Sequence, residues 1–347
     1  SYRARNRAFA LPVMFPEGYK LPAPLVTGSA INPITGVMAH DGWGLRVSLQ
    51  STLPDQPVAY PLPATADPES QRIVAMNLQN YFNGDGTGHG FPTARGAETA
   101  DEFQHQRIRI GAAIKILDPH VLGVMELEND GFGVHSAAQD FIRLTNDATG
   151  KPWAVIRPLN DNTGADKITV GLFYRSDRFE AIGDAQILTG PEFKRSRQPL
   201  AQVFRELPDG GKILVIINHL KSKGSCPESS ENSDQNDGQG CWNPIRQVSA
   251  VKMSAWAADV AASAGTDNIL IMGDMNAYRN EDPIRAIRDA GFTELMDEKQ
   301  AQNYSFVFFG QHGTLDYAFS SDALLEKVQQ AFIWNINAAL PVDMDLP

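Results

Sequence analysis

The chain has 347 residues, of which 42% are hydrophobic, enough for one large domain or two smaller ones. Its 30 Lys and Arg residues against 41 Asp and Glu residues leave a net charge of −11, which disfavours binding of polyanions through bulk positive charge. No stretch reaches the roughly 18 apolar residues of a membrane-spanning helix, and no signal-like apolar block opens the chain. A bound divalent cation can reverse the local charge, so nucleic acid is not excluded as a partner.

The first 70 residues differ from the rest by their proline content, with ten prolines in this stretch. Strand-like residues 36–38 and 45–47 flank the turn signal Asp41-Gly42, which predicts a β-hairpin. We interpret residues 1–70 as an N-terminal extension or part of a small β domain. Residues 71–347 then form the main domain.

From Arg72 onward, apolar runs typical of buried strands recur. They cover residues 72–78, 120–127, 168–174, 212–218, 268–273 and 314–319. One helical face, which stops at Asp118-Pro119, consists of Phe103, Ile110, Ile114 and Leu117. A second face, which ends near Gly265, consists of Ile245, Val248, Val251 and Ala255. Strands buried on both faces with helices between them predict a layered α/β domain.

Two cysteines, Cys226 and Cys241, enclose a polar segment whose proline and glycines indicate a loop. Two cysteines that close one loop predict a disulfide and hence an oxidising compartment. The alternative is two free thiols in a cytosolic protein. Closing a loop of this size stabilises the fold by ~3 kcal/mol in the chain-entropy model.

Polar side chains follow several of the predicted strands. They are Asn77 and Asn80, Glu126, Asn218 and His219, Asp274 and Asn276, and Asp316. Each one alone is more often a turn former or a solvated residue than a catalytic group. Because neighbouring strands of one sheet end at a common edge, we expect these groups to share a crevice.

This set of side chains is chemically coherent. Glu126 with Asn77 or Asp274 supplies hard oxygen ligands, which suit Mg²⁺, Mn²⁺ or Ca²⁺ better than zinc. His219 is able to donate a hydrogen bond to a phosphoryl oxygen, and Asp274 beside Asn276 is able to position a water for in-line attack. Together they predict metal-assisted hydrolysis of a phosphate ester.

Five stretches in order resemble the motifs of the endonuclease/exonuclease/phosphatase superfamily, founded on pancreatic deoxyribonuclease: "NLQNYF", "GVMELEND", "NHLKSKGS", "GDMNAY" and "GTLDYAFSS". Within it, the chain is most similar to bacterial extracellular nucleases, which carry "HFKSKG", a cysteine-bounded acidic loop and "GQGCWN". Residues 237–243 match the last of these. The resemblance, which runs from about residue 70 to the end, implies a four-layered α/β sandwich with two central mixed β-sheets flanked by helices.

The resemblance also implies a role for individual residues. Asn77 and Glu126 match the metal-binding Asn and Glu, with Asp274 as a further ligand. His219 matches the histidine that contacts the scissile phosphate. Asp274 and Asn276 match the pair that positions the nucleophile.

A further implied residue is Asp316, which matches the aspartate that orients a second catalytic histidine. The family places that histidine in a Ser-Asp-His motif after the final strands, and no such motif precedes Pro347. We therefore expect the C-terminal end of the 71–347 domain to be missing from this chain. The alternative is a protein that lacks this histidine.

Substrate contacts are predicted at three basic residues. Lys221 and Lys223 are expected to contact backbone phosphates, the alternative being a solvated loop. Arg175 follows a strand-like run at a position where related enzymes touch substrate, and Asp166 is a further candidate as partner of His219. The acidic residues of the cysteine-bounded loop predict either a structural Ca²⁺ site or a solvated loop; they are Glu228, Glu231, Asp234 and Asp237.

These inferences predict a secreted, divalent-metal-dependent endonuclease that hydrolyses DNA or RNA with little sequence specificity. Mg²⁺ or Mn²⁺ is expected at the active site, with Ca²⁺ as a further cation. We expect an extracellular or periplasmic protein whose signal peptide has been removed, with nucleic acid as its partner and neither a membrane nor an obligate protein partner. The alternatives are a phosphatase or phosphodiesterase acting on small phosphoesters or lipid headgroups, and a nucleic-acid-binding relative with impaired catalysis.

Overall fold

The computed structural model describes residues 13–14, 36–41, 44–49, 63, 70–161, 163–208, 210–296, 304–308 and 311–335. These residues divide between two compact units. The larger unit holds the described parts of 63–303 and 314–333, and the smaller unit holds those of 1–62, 304–313 and 334–347. Most of the proline-rich segment and residues 336–347 lie outside the described residues, so the predicted domain boundary near residue 70 stays a prediction. Within the described ranges, no helix is both long and apolar enough to cross a membrane.

The described residues form strands and helices. The strands are β1 (Val13–Met14), β2 (Gly36–Asp41), β3 (Gly44–Leu49), β4 (Ile73–Tyr81), β5 (Val121–Glu128), β6 (Trp153–Val155), β7 (Ile168–Arg175), β8 (Phe179–Ile187), β9 (Leu200–Glu206), β10 (Lys212–His219), β11 (Ile269–Asp274), β12 (Thr293–Glu294), β13 (Phe306–Phe308), β14 (Gln311–Gly313) and β15 (Asp316–Ser320). The helices are α1 (Ala100–Leu117), α2 (Ala137–Thr149), α3 (Asn243–Ala264), α4 (Asp282–Asp289) and α5 (Asp322–Leu325).

The smaller unit contains two short β structures. Strands β2 and β3 pair antiparallel with Asp41 opposite Gly44, and β1 joins β3 in parallel. The predicted antiparallel pairing of the two strands is therefore confirmed, and residues 42–43 of the predicted turn lie outside the described residues. Strands β13 and β14 form a second antiparallel pair.

The larger unit is built on two mixed sheets. One has the strand order β4-β5-β7-β6, and the other has the order β12-β15-β11-β10-β9-β8. Each sheet holds one parallel pair, β4 with β5 and β10 with β11, beside antiparallel neighbours. The two parallel pairs bring four strand ends to the region where the predicted polar residues lie.

Apolar side chains on both faces of the strands produce four layers. In β10, Val215 and Ile217 join a cluster made by residues of both sheets, while Leu214 and Ile216 join a cluster with α3 and α4. A third cluster packs α1 and α2 against β4, β5 and β7. The order of layers is thus helices, sheet, sheet, helices, and the predicted four-layered α/β sandwich is confirmed.

The two predicted helices form, but one buries a different face. Helix α1 ends at Asp118, whose left-handed backbone precedes Pro119, and α3 ends at Gly265. In α3 the predicted face is wrong, because Val248 and Val251 are exposed. The buried face carries Arg246, whose guanidinium is fully buried. Hydrogen bonds to backbone carbonyls compensate for the burial of this charge, and hydropathy alone does not anticipate them.

Candidate active site

Strand register places three predicted site residues in one row. His219 at the end of β10 lies opposite Asp274 at the end of β11, and Asp274 lies opposite Asp316 at the start of β15. Residues directly opposite on neighbouring strands point to the same face of a sheet. The imidazole and the two carboxylates therefore share one face of the six-stranded sheet, at one end of its strands.

The other sheet contributes Asn77 and Glu126 through irregularities in its ladder. The β5–β7 register breaks between Val124 and Leu127, and Glu126 within this break has a φ of 62°. A bulge of this kind turns a side chain away from the regular alternation. The Asn77 Nδ2 group donates a hydrogen bond to Glu126 Oε1 over 3.2 Å. The structure thus places these two side chains in contact, and their role as metal ligands stays a prediction.

Asp274 is held by its neighbours on both strands. Its Oδ2 lies 3.5 Å from His219 Nε2, and its Oδ1 accepts a hydrogen bond of 2.8 Å from the backbone N–H of Asn276. The Asn276 side chain donates to the Leu220 carbonyl over 3.1 Å, which ties the turn after β11 to the turn after β10. Asn276 thus fixes the carboxylate of Asp274 and its surroundings.

Burial shifts the pKa values of Asp274 and His219 in favour of their neutral forms. Burial raises the pKa of Asp274 well above its ordinary value, and the nearby carboxylates of Asp316 and Glu126 raise it further. Burial, with Arg197 and Lys221 nearby, holds the pKa of His219 well below its ordinary value. The imidazole is therefore neutral at neutral pH, beside closely placed acidic groups.

Arg197 is a site residue that the motifs did not reveal. Its side chain is 7% exposed, and its Nη2 donates to the Leu220 carbonyl over 2.8 Å. Burial lowers the pKa of Arg197, while Asp274, Asp166 and Glu126 raise it. Arg197 precedes β9, which runs antiparallel to β10, so residues before β9 reach the same edge as residues after β10. A pattern of polar residues that follow strands does not include Arg197, because Arg197 precedes its strand.

Asp166 reaches the site in the same manner, before the antiparallel strand β7. It was predicted as a partner of His219, and this prediction is wrong. Its carboxylate pairs with Arg95 at 3.1 Å and with Arg197 at 3.9 Å. The Nδ1 atom of His219 is buried and has no hydrogen-bond partner among the described residues.

The structure does not bring Arg175 to this edge. Arg175 ends β7, and its backbone N–H donates to the carbonyl of His120, which precedes β5. That position is the opposite end of the sheet from Glu126. There the guanidinium of Arg175 binds Asp177 with bonds of 3.0 and 2.7 Å and lies 3.8 Å from Asp118. The predicted substrate-binding role of Arg175 is therefore unsupported, because a residue after an antiparallel strand points away from the site.

The two predicted substrate lysines differ in their surroundings. Lys221 is half-buried, and its Nζ lies 5.1 Å from the centre of the Trp242 ring. Burial, together with Arg197 and other nearby cations, lowers the pKa of Lys221 to about 8. Lys223 instead pairs with the buried carboxylate of Glu281 and lies 4.6 Å from the centre of the Tyr278 ring. Lys221 Nζ also donates to the carbonyls of Ser222, over 2.9 Å, and Gly224, over 3.1 Å. Both lysines therefore help to hold the segment after His219 in place.

The predicted disulfide between Cys226 and Cys241 is confirmed. The loop that it closes is joined to the segment after β10. The guanidinium of Arg246 donates to the carbonyls of Cys241, over 2.8 Å, and of Lys221, over 3.2 Å. The indole of Trp242 donates to the Gly224 carbonyl over 3.0 Å. These bonds hold the backbone beside His219 in place.

The acidic residues of this loop are engaged locally. Asp234 and Asp237 each accept a hydrogen bond of 2.9 Å from a backbone N–H two residues further on. Over the described residues, no three or more His, Cys, Asp or Glu side chains are arranged to hold a metal ion. The structure thus gives the predicted Ca²⁺ site in this loop no support.

The donor chemistry of the active-site residues, carboxylate and amide oxygens, suits a magnesium-like ion. Mg²⁺ is commonly held by one or two carboxylates, with water and substrate completing its coordination. Asn77 and Glu126 are in contact, and the raised pKa of the buried Asp274 marks an excess of negative charge that a divalent cation relieves. Asn77 and Glu126, with Asp274, would therefore hold such an ion.

Gly273 is required by the close approach of β10 and β11, and its replacement tests the role of register. Its φ is +132°, and a Cβ atom there would lie 2.1 Å from the Asn218 carbonyl oxygen. We expect Gly273→Ala to push apart the strand ends that carry His219 and Asp274. The free energy of unfolding in urea should fall by about 3 kcal/mol, from overpacking and backbone strain.

The matched control is Gly265→Ala. Gly265 also has a positive φ, +62°, but nothing lies within 4 Å of its Cβ position. This variant should lose only about 1 kcal/mol. Equal losses in the two variants would show that the close approach at Gly273 is unimportant.

Comparison with known proteins identifies the class of this chain. Residues 77–337, about three quarters of the chain, match the Endonuclease/Exonuclease/phosphatase family. The chain belongs to this family and is a hydrolase of that class. No curated protein matches the chain.

Several solved structures are similar to the larger part of the chain. The human Nocturnin catalytic domain is 16% identical, with a TM-score of 0.49, over 73% of this chain and 83% of that chain. A mannosyl-6-phosphatase from Bacteroides thetaiotaomicron is 14% identical, with a TM-score of 0.47, over 73% and 86%. The 2',3'-cyclic phosphatase ANGEL2 is 14% identical, with a TM-score of 0.44, over 64% and 75%.

Proposed function

We propose that this protein is a secreted, divalent-metal-dependent nuclease that hydrolyses phosphodiester bonds in DNA, with RNA as a second substrate. The observation that carries the proposal is a concentration of cationic side chains beside the catalytic carboxylates of an acidic chain. Arg197 and Lys221 lie close enough to His219 to lower its pKa, and Arg195 lies close enough to Lys221 to act on that lysine. These cations offset part of the negative charge of the carboxylates and supply hydrogen-bond donors for an anionic substrate, in a protein whose net charge is −11.

Each residue of the site has a separate role in hydrolysis. A neutral His219 donates a hydrogen bond to a non-bridging phosphoryl oxygen. Asp274, oriented by Asn276, accepts a hydrogen bond from the attacking water and directs it toward phosphorus. Arg197 stabilises the negative charge that develops in the transition state. Asn77 and Glu126 would hold a divalent cation, which would supply further positive charge to the reaction.

Export is proposed on the strength of the disulfide. Bonds such as Cys226–Cys241 form and persist in oxidising compartments and are rare in the reducing cytosol. This supports an extracellular or periplasmic location. Fractionation of the producing cells, followed by immunoblotting, tests the location, and a wholly cytosolic protein would contradict it.

Cleavage of supercoiled plasmid is the direct test of the activity. We expect nicking in Mg²⁺ or Mn²⁺, none in chelator, and a loss of about 10²–10⁴-fold in rate for His219→Asn. The matched control is His120→Asn. His120 is also buried and also has a pKa lowered by burial, to about 4, but it accepts a hydrogen bond from the Arg72 N–H before β4.

The same preparations are assayed on small phosphomonoesters and on phosphorylated lipid headgroups. Metal-dependent turnover of these substrates without plasmid cleavage would replace the nuclease proposal by a phosphatase. Plasmid binding that weakens with salt, without cleavage of any substrate, would indicate a binding protein. Equal losses in His219→Asn and His120→Asn would remove His219 from the reaction.

A further inference from the structure

Two arginines meet at one carboxylate beside the site. Asp166 Oδ1 lies 3.1 Å from Arg95 Nη2, and Asp166 Oδ2 lies 3.9 Å from Arg197 Nη1. The Arg197 side chain is 7% exposed, whereas that of Arg95 is 44% exposed. The three groups therefore form a row that runs from the buried catalytic carboxylates to solvent.

The carboxylate at the centre of this row is held rigidly. The Asn129 Nδ2 group donates to the carbonyls of Gly164, over 3.1 Å, and of Asp166, over 2.9 Å. The Lys167 N–H donates to Asp166 Oδ1 over 2.6 Å. Asn129 follows β5 directly, so the loop that carries Asp166 is tied to the strand that carries Glu126. Asp166 thus holds Arg95 at a fixed place relative to the site.

Arg95 does little for the stability of the fold. An ion pair with a half-exposed partner is screened by water, and such pairs contribute little to folding. The guanidinium nonetheless presents several N–H donors in a planar fork, a geometry suited to phosphate. Its exposure leaves donors accessible from solvent on the outer side of the site.

We propose that Arg95 binds the backbone phosphate next to the scissile one, with Asp166 as the positioning residue that sets its distance from Arg197. This inference rests on the proposed nuclease function and deepens it. Arg197, next to Asp274 and Glu126, serves the reacting phosphate. Arg95 lies on the solvent side of Asp166 and binds the phosphate next to the reacting one. The site then prefers a polynucleotide to an isolated phosphodiester.

Arg95→Ala tests the proposal with two substrates in the same metal buffer. One is a duplex oligonucleotide, and the other is bis(4-nitrophenyl) phosphate, which has no neighbouring phosphate. For the oligonucleotide we expect KM to rise about 10-fold with kcat nearly unchanged, as for the loss of one charge-assisted hydrogen bond. For the small diester, kcat/KM should stay within about twofold of the wild type.

Salt dependence supplies a readout that a purely structural role would not move. Each lost phosphate contact on duplex DNA lowers the slope of log K against log salt by about 0.9. Arg95→Ala should show this decrease, and Arg95→Lys should restore the slope by returning the charge. The matched control is Arg143→Ala on α2, because Arg143 is 46% exposed and pairs with Asp140 at 3.2 Å. Its KM and slope should equal those of the wild type.

The outcomes separate this inference from the proposed function. If the wild type cleaves the oligonucleotide but Arg95→Ala keeps its KM and salt slope, the subsite is wrong and the nuclease stands. A parallel loss on both substrates would also overturn the subsite, because Arg95 would then act on the reacting phosphate. If the wild type hydrolyses the small diester and never the oligonucleotide, the nuclease proposal fails and the subsite fails with it.

Discussion

Asp274→Asn is expected to abolish hydrolysis and, at the same time, to make the metal-free protein more stable. The substitution removes the carboxylate that orients the attacking water, so kcat should fall by about 10³–10⁴-fold. The same carboxylate is buried near Asp316 and Glu126, which raise its pKa and disfavour its charged form. A neutral amide retains an acceptor for the Asn276 N–H without this cost. In chelator near neutral pH, the free energy of unfolding should rise by about 1–3 kcal/mol.

The pH dependence of stability identifies Asp274 as the source of this gain. A carboxyl whose pKa is raised in the folded state binds protons more readily when folded than when unfolded. It therefore adds stability as the pH falls through its folded pKa. Burial and Asp130 also raise the pKa of Glu128, to about 7, so the wild type gains stability with the same sign from two groups. The difference between wild type and Asp274→Asn should shrink as the pH falls from about 8 to about 5.

Urea unfolding in chelator at several pH values measures this difference. Asp289→Asn is the control, because it changes the net charge equally at an exposed position at the end of α4. It should alter neither activity nor the pH profile. A loss of stability in Asp274→Asn at every pH would refute the account of a strained carboxylate, even if activity disappears.

Arg197→Met is expected to have the second-largest effect, on both activity and stability. It removes a buried cation that lies near Asp274, Glu126 and Asp166. Loss of one preorganised donor from a site of this kind costs about 10²–10³-fold in kcat. Breaking a buried charge arrangement also leaves its partners uncompensated, and we expect a fall of about 2–4 kcal/mol in the free energy of unfolding.

A double-mutant cycle with Asp274→Asn tests the cause of this loss. If Arg197 compensates the charge of Asp274, Arg197→Met should cost less than half as much stability in the Asp274→Asn background. Calorimetry and urea unfolding in chelator give the four free energies needed. Arg197→Lys controls for charge, and should keep most of the stability while losing much of the activity, since a lysine lacks the planar fork. Additive losses would show that the two groups do not interact.

The sequence anticipated those parts of the fold and site that follow directly from strand pattern. The six apolar runs became β4, β5, β7, β10, β11 and β15, because strands buried on both faces read as continuous hydrophobic stretches. His219 and Asp274 end the parallel strands β10 and β11, and Asn77 and Glu126 lie at irregularities within β4 and β5; in each case a polar residue directly follows an apolar run. Strands β8 and β9 were not anticipated. The outer strand β8 has one fully buried residue, Phe179, so its hydrophobic pattern is weaker.

The residues missed or misplaced share a physical cause, which is strand direction. Antiparallel strands bring to the site the residues that precede them, as with Asp166 before β7 and Arg197 before β9. They carry to the far edge the residues that follow them, as with Arg175. A single sequence does not reveal which strands run antiparallel. Lys223 pairs with Glu281, which lies 58 residues further along the chain at the start of α4, and a single sequence does not reveal contacts at this separation.

The catalytic side chains of His219 and Asp274 lie on strands, whereas Arg95 and Asp166 lie on the segments that connect elements. This difference affects how substrate preference changes between related enzymes. The catalytic set is locked by hydrogen-bonded register, so an insertion within β10 or β11 would dismantle it. Arg95 and Asp166 instead lie on connections, which tolerate exchange far better than the elements they join. Grafting the segments before α1 and before β7 from one relative to another should therefore transfer preference while leaving turnover chemistry intact. On this proposal, substrate choice would change separately from the catalytic residues.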